Sequence, residues 1–348
     1  MLRLTAADMK TRPETWLEVR AEGLFVRPGG FFIDPVQAVD VAVVSHGHSD
    51  HARGGHGTVL ATAETLAIMR VRLGEAAGRV HRPLALGETV TLGEVAIRLA
   101  AAGHVLGSAQ IVLEYGGARV VVSGDYKRAS DPTCTAFEPV PCDLFVTEAT
   151  FGLPVFCHPP AAAEIAKLLH SVELFPERCH VVGAYALGKA QRLIALLRAA
   201  GWERPIYIHG ALQSLCELYA RCGVDLGELR PATAGARGEA RRELEGQIVI
   251  APPGAIADRW ARRLPDPVVC LASGWMRVKQ RARQGGVELP LVISDHADWG
   301  ELLDTLADVQ APEVWVTHGR EEALVHAATQ RGLRAKALSL VGYEEEGG

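Results

Sequence analysis

Within six consecutive positions the chain sets four side chains able to hold a metal, His46-Gly-His48-Ser-Asp50-His51. The apolar run Val41-Ala-Val-Val44 precedes them and the small-residue stretch Ala52-Arg-Gly-Gly55 follows. Imidazole and carboxylate are donors that suit zinc or manganese. Two such ions held together activate water and split ester or phosphodiester bonds. The spacing has a physical reason. Alternate residues of an extended segment share a face, so His46 and His48 can address one ion. Asp50 and His51 fall where the strand ends and the backbone turns, within reach of a second ion. His56, just beyond, is left out, because a lone ring at a loop edge serves as a surface or capping group.

Three further ligand types lie at similar places. His104 stands in Ala102-Gly-His104-Val-Leu-Gly107, Asp125 ends Val120-Val-Val-Ser-Gly124-Asp125, and His318 ends Val314-Trp-Val-Thr317-His318. Each alone reads as a turn residue. What they share is a place at the C-terminal end of an apolar strand, where side chains from several strands converge. The elements that must position them are strand-like runs near 30–34, 41–45, 96–100, 110–115, 119–123 and 143–147. Two more strand ends carry chemistry: Leu144-Phe-Val-Thr147-Glu148, and Val292-Ile-Ser294-Asp295-His296.

At 348 residues the chain has room for two domains or one with a large insertion. Its 48% hydrophobic and 22% charged residues are those of an ordinary soluble globular protein. The stretch Met1 to Lys10 has no apolar core of the kind a secretory leader needs. No run approaches a membrane span, so no membrane partner is expected. The seven cysteines are scattered, without a CxxC pair, and their odd number argues against a complete disulfide framework. That fits a reducing cytoplasm. A net charge of −5 opposes a polyanionic partner, but two divalent cations would reverse that locally.

From about Leu153 to about Glu288 the pattern changes to alternating helical and strand-like runs. Pro159-Pro160 opens a helix from Ala161. Cys179-His-Val-Val182, Ile206-Tyr-Ile208, Gln247-Ile-Val-Ile250 and Val268-Val-Cys-Leu271 look like buried parallel strands, an α/β layer. Gly188-Lys189 at a helix start offers backbone N–H groups and a lysine to a phosphate. Arg277, Lys279, Arg281 and Arg283 alternate with other residues in a stripe that could track a phosphate backbone, with Trp275 before it as a base-stacking platform.

The ligand pattern resembles the metallo-β-lactamase superfamily. That resemblance implies His46, His48 and His104 on one metal, Asp50, His51 and His318 on the other, and Asp125 bridging. It implies an αββα sandwich of two face-to-face sheets with helices outside. Glyoxalase II-type thioester hydrolases use the same ligand types, so the substrate is open at this point. Two features discriminate. Nearly two hundred residues separate Asp125 from His318, enough to insert a small domain. The Glu148 and His296 segments resemble the acidic and histidine motifs of the β-CASP nucleases. His318 in Thr-His-Gly-Arg320 is similar to the last motif of the RNase J and cleavage-factor subset. Ala184-Tyr-Ala-Leu187-Gly188-Lys189-Ala190-Gln191 resembles their Phe-Ala-Leu-Gly-Arg-Ala-Gln-Glu segment, with lysine in the arginine place.

The expected organisation is a metallo-β-lactamase domain in two parts, 1–152 and 289–348, with an α/β β-CASP domain inserted at 153–288. The expected cofactors are two divalent ions, zinc before manganese. Asp50, Glu148 and His296 are the candidate catalytic residues. A phosphodiester needs a nucleophile, charge neutralisation and a proton for the departing oxygen, and a histidine held protonated by a carboxylate supplies the last. Asp298, three residues before Glu301, reads as a helix cap. Lys189, Trp275, Arg277, Lys279 and Arg281 are the candidate nucleic-acid contacts.

Segments spread over the chain are similar to the bacterial ligase-associated DNA exonuclease family, among them Phe32-Ile-Asp-Pro35, Ser123-Gly-Asp-Tyr-Lys-Arg128, Thr147-Glu-Ala-Thr-Phe-Gly-Leu-Pro154 and Ser294-Asp-His-Ala-Asp-Trp299. The resemblance implies a DNA-repair exonuclease, DNA favoured over RNA, working beside an ATP-dependent DNA ligase and a helicase. The alternatives are an RNA-processing nuclease on the same site and a nucleic-acid-binding subunit that does not cut. A small-ester hydrolase is disfavoured by the insertion.

Overall fold

Apolar residues that alternate between two faces build two sheets that share a core. In the computed structural model, which describes residues 10–232 and 242–340, Ile97 and Leu99, Ile111 and Leu113, Val120 and Val122, Leu144 and Val146, and Trp315 all face one way. They meet Leu24, Phe31, Ile33, Val43 and Leu60 of the other sheet. The residues between them, Val112, Val121, Phe145, Val314 and Val316, face the opposite side and pack on Leu302, Leu306, Leu324 and Ala328 of two helices, Trp299–Asp308 and Glu321–Gln330. This is the period of two that a strand imposes. On the far side of the first sheet, Ala42, Val59 and Ala61 pack on Leu66 and Met69 of the helix Ala63–Leu73. The layers run helix, sheet, sheet, helix: the expected αββα sandwich. Each buried Leu, Ile or Val adds about 1.5–3 kcal/mol relative to exposure. The first nine residues, read above for a leader, lie outside the described residues.

One sheet has the order Leu17–Arg20, Gly23–Val26, Phe31–Ile33, Val41–Val43, Thr58–Ala61, Val80–Pro83. The other runs Arg334–Ala337, Glu313–Gly319, Leu144–Ala149, Ala118–Val122, Ala109–Tyr115, Val95–Ala101, Thr89–Leu92. Glu313–Gly319 comes late in the chain yet lies beside Leu144–Ala149, in parallel.

The chain divides into two units. One comprises Met1–Ser130, Cys134–Pro154 and His296–Gly348, the other Asp131–Thr133 and Val155–Asp295. The second unit holds a six-stranded sheet in the order Leu229–Pro231, Ile206–Ile208, Ile248–Ala251, His180–Gly183, Val268–Ala272, Leu289–Leu291. Its registered pairs are parallel. Parallel strands need crossovers, and the helix Lys189–Ala199 links His180–Gly183 to Ile206–Ile208 as Gln213–Arg221 links Ile206–Ile208 to Leu229–Pro231. Its edge strand Leu289–Leu291 carries Pro290, tolerable because one side of an edge strand makes no ladder bonds. The chain leaves this unit after Asp295, whereas the sequence reading set that boundary at 288.

Candidate metal centre

The quartet from His46 to His51 does not lie on a strand. The strand ends at Val43 and the four ligand types sit on the loop that follows. Convergence comes from the loop's turns rather than from strand alternation. His46 and His48 meet at right angles with ring centroids 5.0 Å apart. His46 Nε2 and His104 Nε2 lie 3.1 and 2.9 Å from His48 Nδ1, so three imidazole nitrogens point at one small volume. His104 reaches it from the loop after Val95–Ala101.

A second group forms alongside. Asp50 Oδ2 lies 3.7 Å from His51 Nε2 and 3.4 Å from His318 Nε2. Asp125 faces both groups. Its Oδ2 lies 3.5 Å from His46 Nε2 and 3.7 Å from His104 Nε2, while its Oδ1 lies 3.4 Å from His51 Nε2. Asp125 Oδ1 is buried and makes no hydrogen bond among the described residues.

His318 reaches the group through a bulge. The pairing of Leu144–Ala149 with Glu313–Gly319 slips between Thr147 and Ala149, and His318 sits in left-handed backbone at φ 65°. A bulge breaks the alternation of side chains and re-aims one of them. Its neighbour Gly319 allows the close approach, since a Cβ there would lie 2.4 Å from the Ala149 carbonyl oxygen.

Glu148 and His296 also come together. His296 Nδ1 lies 2.9 Å from Glu148 Oε2, and Glu148 Oε1 accepts from the Tyr126 backbone N–H at 2.7 Å. Glu148 is buried and His296 half-buried. His296 does not end a strand as expected. Leu289–Leu291 stops earlier, and the chain runs on through Asp295 as a loop. Asp298 and Glu301 form the expected capping box at the start of Trp299–Asp308.

The sequence reading missed Asp34. Its Oδ2 lies 2.8 Å from His51 Nδ1, and it accepts from Ser45 N at 2.7 Å and Ser45 Oγ at 2.6 Å. Ser45 Oγ is in turn 3.0 Å from His46 Nδ1. One buried carboxylate thus fixes the far nitrogen of His51 directly and that of His46 through Ser45, which turns both Nε2 atoms toward Asp125. Carboxylates behind metal-binding histidines act in this way. Gly124 makes room for Ser45: it has φ 55°, and a Cβ there would lie 2.8 Å from the Ser45 side chain. Phe32-Ile-Asp-Pro35 carried the signal, but an aspartate before proline reads as a turn.

The electrostatics are those of a site that wants positive charge. Burial pushes the His46 imidazole well below its ordinary value, and nearby His51 adds to that. His51 moves the other way. Burial opposes its charge, but the carboxylates of Asp125 and Asp50 and the bond to Asp34 hold it well above its usual range. Burial likewise opposes ionisation of Asp125, yet His51 and His296 keep its carboxyl well below normal. Asp50 is lowered by His51 and by a hydrogen bond from His318, again against burial. The donors include one set of three imidazoles with a carboxylate, His46, His48, His104 and Asp125, and another of two imidazoles with a carboxylate, His51, His318 and Asp125, with Asp50 close to both of the latter rings, which is the chemistry zinc and manganese accept.

Residues 14–178 match the beta-lactamase superfamily domain model. A ribonuclease of Thermus thermophilus is 26% identical over 401 residues, covering 91% of this chain and 89% of its own. An endoribonuclease of Gibberella zeae is 25% identical, covering 92% of this chain and 50% of its own. The chain belongs to the metallo-β-lactamase superfamily, in its β-CASP nuclease branch. A probable DNA ligase of Opitutus terrae is 29% identical over 327 residues, which are 91% of this chain and only 30% of the relative. The β-CASP chain here therefore spans less than a third of the ligase and half of the Gibberella enzyme. A crystal structure of an Enterococcus faecalis protein of unknown function superposes with a TM-score of 0.59 at 11% identity, over 87% of this chain and 80% of that one, and attests the fold.

The five candidate nucleic-acid contacts all lie in the second unit. Lys189 points inward: its Nζ is 3.1 Å from Asp295 Oδ1 with both side chains under a tenth exposed, and it sits 4.8 Å from the Tyr185 ring. Gly188 N donates to Gln191 Oε1 at 2.8 Å. The stripe is helical rather than extended, because Lys279–Gln284 forms an α-helix. At 3.6 residues per turn Lys279 and Arg283 share a face, while Arg281 turns away and lies 4.2 Å over the Trp275 ring. Trp275 is half-buried, with Phe156 edge-on at 5.0 Å, while Arg277 and Lys279 are exposed.

Proposed function

We propose that the chain is a metal-dependent nuclease that hydrolyses DNA phosphodiester bonds, as an exonuclease of a repair system. The observation that carries this reading is Asp125. It presents one oxygen to each of two donor groups, with the Glu148–His296 pair 3.9 Å from Oδ2. His46, His48, His104 and Asp125 would hold one divalent cation, and Asp50, His51, His318 and Asp125 the other. When bound, such a pair supplies a nucleophilic water at neutral pH and neutralises phosphate charge.

The chain's own residues do the rest. Asp34 and Ser45 hold His51 and His46 in the tautomers that present Nε2. Glu148 orients His296 through Nδ1, and His296 delivers a proton from its other nitrogen to the departing sugar oxygen. DNA is favoured because the Opitutus relative is named a probable DNA ligase and this chain covers only part of it. That supports a role beside an ATP-dependent ligase, with a helicase as a further partner. The second reading, an RNA-processing nuclease, draws on the Thermus ribonuclease, which matches along nearly its whole length.

End-labelled DNA and RNA of both polarities, digested with zinc or manganese, decide between them. Shortening of DNA from one end, lost in Asp125→Ala, is the expected result. Equal or faster cleavage of RNA would replace the DNA reading. Intact strands under every condition would leave a binding subunit.

A further inference from the structure

Glu301 belongs to the capping box of Trp299–Asp308, and it performs that task. Its N–H donates to Asp298 Oδ1 at 3.0 Å, and its Oε2 accepts from Asp298 N at 3.0 Å. A cap asks nothing more of this carboxylate, yet it does more. Oε2 also accepts from Lys127 Nζ at 2.6 Å, and Oε1 accepts from the Ala129 N–H at 2.7 Å. The Lys127 side chain is only 6% exposed, a burial that lysines adopt when paired.

These partners lie on the loop that begins at Asp125, far away in sequence. The same loop is tied to the residues around His296. Tyr126 N donates to Glu148 Oε1, whose other oxygen meets His296, and Ala297 N donates to the Tyr126 carbonyl at 2.7 Å. Arg128 adds a bond to Asp308 at 2.6 Å on the same helix. Glu301 is where the two loops meet: a single carboxylate bonds Lys127 and Ala129 on one side and Asp298 on the other.

We propose that Glu301 is a positioning residue that sets the spacing between Asp125 and His296. This rests on the nuclease reading, since it gives the spacing its purpose. Glu301 acts through Lys127, Ala129 and the Asp298 backbone N–H, which an alanine at 298 keeps, and touches no substrate. A loosely held loop would misplace the proton donor relative to the bridging carboxylate, and misplacement of that kind costs rate rather than affinity.

Variants of the full chain separate positioning from capping. Glu301→Gln keeps one acceptor oxygen for the Asp298 N–H but loses the charge and sets an NH2 donor against the Ala129 N–H, Lys127→Met removes the charged bond from the other side, and Lys127→Arg returns a cation. Asp298→Ala removes the cap and leaves the Lys127 pair. With zinc-loaded protein and a strand the wild type cuts, Glu301→Gln and Lys127→Met should lower kcat about 10- to 100-fold with KM within about twofold. Lys127→Arg should recover most of the loss. Asp298→Ala should lower the thermal midpoint and leave kcat within about twofold.

Backbone hydrogen exchange on metal-free protein needs no substrate. It should quicken at 125–129 and 296–298 in Glu301→Gln, and only at 299–302 in Asp298→Ala. Equal kcat losses in Glu301→Gln and Asp298→Ala, or unchanged exchange at 125–129 in Glu301→Gln, would overturn the proposal. A wild type that cuts no strand sinks the nuclease reading instead, and the exchange pattern then decides alone whether Glu301 joins the two loops.

Discussion

In the first unit, buried His46, His51, His104 and His318 and half-buried His48 gather around Asp50 and Asp125, and the close partners of these carboxylates are imidazoles. In the second unit, buried charge comes as cation with carboxylate, Lys189 with Asp295 and Arg192 with Asp131. Both arrangements pay desolvation. The second recovers it internally, as a structural network does. The first recovers it in full only when something positive enters, and the carboxylates that raise His51 show the same demand. The contrast separates a site from a scaffold more sharply than burial does, because burial alone is the same in both.

The comparison breaks most visibly at Asp125. Asp125→Ala should lower nuclease activity at least about 10³-fold. It should also erase the stabilisation that metal confers on the first unit, about 4 kcal/mol at a thousandfold excess over Kd. Metal analysis of the purified variant against wild type, with thermal unfolding plus and minus chelator, checks both. A chelator effect of equal size in the variant would mean that the ions bind elsewhere. Metal uptake by wild type near neutral pH should also release a proton. The Asp125 and Asp50 carboxylates raise His51 well above its usual range, and a ligand imidazole must be neutral. Affinity should therefore rise with pH until the raised His51 value is passed, as calorimetry in buffers of different ionisation enthalpy would show.

Next in size is Lys189. Lys189→Met removes the cation from a buried ion pair with Asp295, and losses of about 3–5 kcal/mol follow from such breaks. The damage should appear in urea denaturation of the second unit, read by hydrogen exchange. Affinity for single-stranded DNA per folded molecule should stay unchanged. A large affinity loss in a fully stable variant would restore Lys189 as a phosphate contact.

The two units also answer acid differently. His180, on a buried strand of the second unit and 2.9 Å from Ser171, is pushed down to about 4 by burial, with nearby Arg178 adding to the effect. Its folded value lies below the unfolded one, so the unfolded chain binds the proton first. The second unit is fully stabilised above about pH 6.5 and loses stability as pH falls toward 4, by on the order of 2 kcal/mol. In the first unit His46 and His51 shift in opposite directions, so their contributions oppose one another. Urea midpoints between pH 7.5 and 5 should thus fall in the second unit and flatten in His180→Gln. An equal fall in the variant would assign the effect to another group.

What the sequence disclosed follows from range. Strands with a buried face on each side, such as Ala109–Tyr115 and Leu144–Ala149, announce themselves through apolar runs. Val80–Pro83 and Thr89–Leu92 are sheet edges with exposed positions and carry no such signal. Most candidate site residues were legible because such side chains have few other uses in the short loops that follow apolar runs. Asp34 and Glu301 were not, because a turn aspartate and a helix cap already explain them locally. Their further contacts, to His51 and Lys127, exist only once distant segments pack. The backbone of the basic stripe was not read. Its charges alternate along the sequence, but Lys, Gln, Arg and Ala are all strong helix formers, and Lys279–Gln284 is a helix.

The smallest effects concern that stripe, and they test whether the second unit's surface has any part in binding. Arg277 and Lys279 are exposed, so replacing either with alanine should shift stability by less than about 0.5 kcal/mol. If each meets one phosphate, affinity for single-stranded DNA should drop equally for all sequences. The slope of log K against log salt should then flatten by about 0.7 per residue removed. Arg281 differs, because it is engaged with Trp275. Arg281→Ala removes a cation but bares the ring, so its salt slope should flatten while affinity falls less than in Arg277→Ala. Slopes unchanged in all three would make the stripe a solvated helix face, and the contact with the polymer would have to lie on other residues.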